Sequence, residues 1–128
     1  MRKAALSLLA VTAILLIMPR SAGAHHGWAQ FDTKAVITLK GIVTDFHYVN
    51  PHSVVEFDVK DDKGQVHSWQ GEMTSPSHLS PLGWTPATLE PGDQITITGY
   101  QAKNGAASLW VTRIVLADGR ELKIDGGN

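Results

Sequence analysis

The sequence predicts an all-β fold with one short helix. Three observations carry that expectation. Apolar and polar residues alternate over short runs, turn signals built on glycine, proline and asparagine separate the runs, and one Ser-Pro helix-start signal interrupts them after the third.

Val36 to Val49 reads as the first and longest strand. Ile37, Leu39 and Val43 share one face, and Gly41 between them marks a bulge or sharp bend. Asn50-Pro51 ends the run. Ser53 to Lys60 gives the clearest alternation, with Val55, Phe57 and Val59 inward and Glu56, Asp58 and Lys60 outward. Asp61-Asp62-Lys63-Gly64 is a hairpin connection leading to a third strand, Val66 to Met73. Ser75 as N-cap and Pro76 in the first turn then open a short helix. His78, Leu79 and Leu82 fill it, Pro81 limits its length and Gly83 stops it. Thr85-Pro86-Ala87-Thr88-Leu89 repeats the signal and implies one more turn. After Pro91-Gly92-Asp93, strand four is expected over Gln94 to Ala102, with Ile95 and Ile97 on one face. Asn104-Gly105 turns the chain into strand five, Leu109 to Leu116, and Asp118-Gly119 turns it into a short edge strand, Glu121 to Ile124. The resulting order, β-β-β-α-β-β, is that of an OB-like five-stranded Greek-key barrel. Its first strand must serve both sides of the barrel, which suits the glycine bend. A generic small β-sandwich is the alternative.

The first 24 residues read as a secretory signal peptide. Arg2 and Lys3 form a positive n-region, Ala4 to Met18 an apolar stretch, and Ala22-Gly23-Ala24 a small-x-small cleavage site. Pro19-Arg20 closes the stretch after roughly 15 residues, short of the roughly 20 a spanning helix needs. The expected organisation is therefore 1–24 signal peptide, 25–35 mature N-terminal segment, 36–125 OB-like domain and 126–128 loose C-terminus. The expected location is periplasmic or secreted, with no membrane span after cleavage.

Composition narrows the chemistry. Removing Arg2, Lys3 and Arg20 takes Lys+Arg from 11 to 8 against 12 acidic residues, and the formal charge from −1 to −4. A mildly acidic domain argues against nucleic acid as a partner, since phosphate binding needs clustered Lys and Arg. There is no cysteine, so disulfides, thiolate-held zinc and iron–sulfur clusters are excluded and any metal must be held by nitrogen and oxygen. The chain carries six histidines and four tryptophans, a high density for so small a domain.

His25 is the leading metal-ligand candidate. As a mature N-terminus it offers its α-amine and ring Nδ1 as one chelate, and the amine's reference pKa of about 7.7–8.0 lets a metal displace its proton near neutrality. A solvated terminus whose residues simply suit the signal peptidase is the competing reading. His26 is a candidate third ligand. His52, set in the connection after Pro51, is either an ordered ligand or a turn histidine bonded to backbone. His47, five residues earlier, could share its site if both lie on one rim. Glu72, ending strand three, is a candidate carboxylate for orienting an imidazole, or an ordinary strand-end charge. His67 reads as a half-exposed strand residue and His78 as a surface one. Trp69 and Trp110 could line a groove, Trp84 plugs the open end of the barrel, and Trp28 could pin the terminal segment to it.

Together these segments resemble a family. Ala24-His25-His26 with Trp28 and Phe31, Leu39-Lys40-Gly41, Val49-Asn50-Pro51-His52, Trp69, Ser75-Pro76, Gly83-Trp84, Leu89-Glu90-Pro91-Gly92-Asp93 with Gly99, and Asp118-Gly119-Arg120 are similar to the small exported bacterial proteins of the domain of unknown function six-one-five-two. The resemblance implies export and a small β-barrel-like fold, and no activity.

No catalytic constellation stands out: there is no nucleophile elbow, phosphate-binding glycine loop or His-Glu-x-x-His motif. The expected function is non-enzymatic binding of a transition metal. Copper leads because nitrogen-rich sites hold Cu(II) most tightly in the divalent series, with zinc the competitor. The alternative is a module binding a periplasmic protein, peptide or glycan through an aromatic barrel face. A metal-dependent redox enzyme is a third reading.

Overall fold

A computed structural model describes residues 27–124 of the chain. A 3-10 turn, Gly27–Gln30, leads into β1 (Phe31–His47), followed by β2 (Ser53–Lys60) and β3 (Val66–Met73). Then come α1 (Pro76–Leu79), a 3-10 turn (Ser80–Leu82), β4 (Gln94–Ala102), β5 (Ser108–Leu116) and β6 (Glu121–Leu122). Residues 1–26, which include the expected signal peptide, and the segment after 124 lie outside the described residues. Among those described, no helix is long and apolar enough to cross a membrane.

The strands lie in the order β3-β2-β1-β4-β5-β6, and a further pairing between β3 and β5 turns the first five into a ring. All pairings are antiparallel except that closing one, which matches Gln70 with Ser108, Gly71 with Leu109 and Glu72 with Trp110 in parallel. This is the expected OB-like Greek-key order, with the helix between β3 and β4. β1 joins its two halves. Residues up to Ile42 pair with β4 and those from Ile42 onward with β2. Gly41 pairs in register with Ile95, and the expected irregularity falls instead between Val43 and Asp45. What Gly41 provides is close approach, since a Cβ there would lie 2.7 Å from the Asp58 carbonyl oxygen and 2.8 Å from the Phe57 ring.

The inward positions of the ring make the core. Val43, Val55, Phe57, Met73, Ile95, Ile97, Leu109, Val111 and Ile114 are buried, and Leu79, Trp84 and Leu89 from the helical crossover close over them. Trp84 is the expected plug. Its Nε1–H donates to the Lys123 carbonyl at 2.8 Å, and its ring lies 5.8 Å from that of Phe46.

β5 begins one residue earlier than expected, at Ser108, and β6 stops two residues short, at Leu122; the larger differences lie in β1 and at α1. β1 begins at Phe31, five residues earlier than alternation indicated. A register shift between Phe31 and Val36 carries the polar stretch Asp32-Thr33-Lys34, so period-two patterning breaks although the ladder with β4 resumes beyond it. β1 ends at His47 because Tyr48 turns onto the crossover, where its hydroxyl hydrogen-bonds Ser80 Oγ at 3.0 Å and donates to the Trp84 carbonyl at 3.2 Å. At α1, Ser75 occupies the N-cap with extended backbone but makes no capping bond, because its hydroxyl meets Ser77 and the His78 ring instead. Gly83 ends the helical stretch at φ 95°, a left-handed conformation that favours glycine. The Thr85-to-Leu89 segment closes a single turn through Thr88 N–H donating to the Thr85 carbonyl at 3.0 Å.

Candidate functional site

The parallel seam where the ring closes brings three sequence-distant residues together. Glu72 sits on β3 opposite Val54 of β2 on one side and opposite Trp110 of β5 on the other. His52 lies just before β2, one step beyond the Ser53–Met73 pair and therefore diagonal to Glu72, a separation long side chains span. Its Nδ1 meets Glu72 Oε1 at 2.6 Å. A carboxylate oxygen accepts, so Nδ1–H donates, and in the neutral ring Nε2 then keeps its lone pair. Among the described residues Nε2 has no hydrogen-bond partner. A carboxylate fixing the tautomer of a histidine whose other nitrogen is free is the arrangement that orients a metal-ligating imidazole. The pair remains reachable, with side chains 25% and 30% exposed.

An aromatic stack backs this pair. The His52 ring stands edge-on to Trp110 at 5.3 Å and 88°, and Trp110 in turn meets Phe31 at 6.1 Å. Phe31 and Trp110 are both buried yet lie outside the main core cluster. They form a second apolar patch that seats the start of β1 beside His52. The Lys103 N–H donates to the Gln30 carbonyl at 2.9 Å and fixes the turn before the strand. A 3-10 turn rises roughly 2 Å per residue, so Gly27–Gln30 carries the chain only about 8 Å from Phe31. His25 and His26 immediately precede that turn. Both lie outside the described residues, as does the Trp28 side chain.

His47 does not share partners with His52. Its Nε2 lies 3.3 Å from Glu56 Oε1 and 3.5 Å from Asp45 Oδ2, on the outward face of β1 and β2. Asp45 stands opposite Glu56, just past a register shift between Val43 and Asp45. One donor atom from each of the three residues falls within 4.8 Å of the others. Sequence reasoning passed over Asp45 and Glu56. The signal was the shared parity of Asp45 and His47, but the shift that places Glu56 against them is a tertiary feature.

The other candidates fall elsewhere. His67 Nε2 donates to Asp61 Oδ2 at 2.8 Å in the β2–β3 hairpin. That bond, with the Gln65 and Lys63 N–H groups, holds the Asp61 carboxyl below its ordinary pKa. His78 is exposed on α1, bonded to Thr74 and Ser75. Trp69 is half-buried and Trp110 only 8% exposed.

A family model described as "Family of unknown function (DUF6152)" matches residues 13–109. The comparison with curated proteins gives no match.

Proposed function

The chain belongs to the DUF6152 family of unknown function, and from its own residues we propose that it is an exported protein that binds a transition metal, copper foremost, without catalysing a reaction. The observation that carries this reading is the His52–Glu72 pair, with Nδ1 tied to the carboxylate at 2.6 Å and Nε2 left to coordinate. The anchored start of β1 supports a second ligand source, because Phe31 packs on the same Trp110 ring that meets His52, and His25 and His26 precede Phe31 by only a few residues. His25, once it is the mature N-terminus, supplies its amine and imidazole, and His52 or His26 the third nitrogen. Nitrogen-only donors favour Cu(II) over the other divalent ions, zinc included. Glu72 serves as a positioning residue. The aromatic-face reading would be favoured by Trp69 or Trp110 exposed in a groove; Trp110 is buried beneath Phe31 and His52, which leaves that reading resting on the half-buried Trp69.

The test is a Cu(II) titration, followed by electron paramagnetic resonance, of the chain beginning at His25, the same chain with one extra residue before it, and His52→Ala. The expected result is one-to-one binding with nitrogen hyperfine structure, weakened at least tenfold in both altered proteins. Equal, weak binding in all three would overturn the reading.

A further inference from the structure

We propose a second metal site, for zinc, formed by Asp45, His47 and Glu56. It shares no residue with the copper reading and stands or falls without it.

The donor set differs from that at His52. One imidazole nitrogen faces two carboxylate oxygens, a mixed nitrogen–oxygen set of the kind that completes three-ligand zinc sites. The spacing fits as well. A tetrahedral zinc with bonds of about 2.0–2.2 Å holds its ligand atoms roughly 3.3–3.6 Å apart, and His47 Nε2 lies 3.3 Å from Glu56 Oε1 and 3.5 Å from Asp45 Oδ2. Two edges of such a tetrahedron are thus in place, all three donor atoms lie within 4.8 Å of one another, and the exposed side leaves a fourth corner open to water.

The electrostatics point the same way. Asp45 and Glu56 are directly opposed across the β1–β2 ladder, a placement that costs stability for like charges unless something positive sits between them. Among the described residues neither is paired with a lysine or arginine, and the imidazole is their common partner. A divalent cation answers both charges at once.

The backbone presets the arrangement. The register shift between Val43 and Asp45 sets Asp45 and His47 on one face against Glu56. The Phe46 N–H donates to Asp45 Oδ1 at 2.8 Å, which leaves Oδ2 directed at His47. All three ligands ride on paired strands, so little backbone freedom is lost on binding. Zinc occupies Nε2, any proton there leaving to water or relocating to Nδ1, so that the bound neutral ring carries its one proton on Nδ1.

The experiment uses the mature chain extended by one residue before His25 and carrying His52→Ala, so that failure of the copper reading cannot affect the result. Zn(II) is titrated calorimetrically. Co(II), as a spectroscopic substitute, reports coordination through its visible absorption bands, and amide NMR shifts locate the ion. One equivalent is expected to bind, with shifts centred on Asp45 to His47 and on Glu56. Glu56→Gln, which keeps the side chain's shape, should weaken binding at least tenfold, and His47→Ala more. Thermal melts confirm that both variants fold. Binding unchanged in both variants, shifts centred on His67 or His78 instead, or no binding at millimolar Zn(II) would each overturn the assignment.

Discussion

Replacing Glu72 tests the proposed metal site at a group that touches His52 but would not touch the metal. In the folded chain its Oε1 accepts from His52 Nδ1 at 2.6 Å, a close contact just under the about 2.7–2.9 Å usual for charge-assisted N–H···O bonds. Loss of such an orienting partner typically lowers metal affinity about 10- to 100-fold, equivalent to about 1.4–2.8 kcal/mol at 1.4 kcal/mol per decade. Glu72→Gln keeps an acceptor oxygen in the same place and loses the charge, so its effect should fall near tenfold. Glu72→Ala frees the ring to turn and to change tautomer, so its effect should approach 100-fold. The cost to folding is much smaller. The pair is partly exposed, with side chains at 25% and 30%, and solvent screening holds such pairs to about 1 kcal/mol or less. Competitive Cu(II) titration against a chelator of known affinity reads the first effect, and urea denaturation reads the second. Parent-level affinity in both variants would refute the orienting role. So would an affinity loss that tracked unfolding rather than preceding it.

Two further outcomes follow from the fold. His67→Ala should raise the Asp61 carboxyl toward its ordinary value, measured by carboxyl NMR titration, because His67 is the largest contributor to its depression. Asp61 ionises more readily when folded, so its contribution to stability is present above its ordinary pKa and is lost as pH falls through the depressed value, and the variant should show less of that acid sensitivity. An unmoved titration would show that the backbone N–H groups alone set it. Phe57→Ala empties a position at 0% exposure in the centre of the ring and should cost about 3–5 kcal/mol in urea denaturation. A loss below about 1 kcal/mol would mean that the ring collapses around the gap.

The strands β2 and β4 end where local chemistry says they should, because each combines period-two burial with a turn residue at its boundary, and β3 is bounded by the Gly64 hairpin and by Ser75-Pro76. Pro76 and Gly83 bracket the helical stretch for the same reason: their backbone preferences are intrinsic and need no partner. The candidate site was only half legible. His52 stood out through its proline turn and Glu72 as a strand-end carboxylate, yet nothing local joins two residues twenty positions apart.

What the sequence determined by itself is therefore the list of elements, the inward faces that build the core, the absence of thiol ligands and the abundance of imidazole. What only the tertiary structure decided is pairing. The diagonal between His52 and Glu72 depends on the β2–β3 register, and the cover over Trp110 depends on an early start to β1 that its polar residues conceal. The grouping of Asp45, His47 and Glu56 depends on one register shift. Alternation and turn preference act over a few neighbouring residues and are written into the chain. Register is fixed by the summed burial of whole strands against one another, a property no single segment carries.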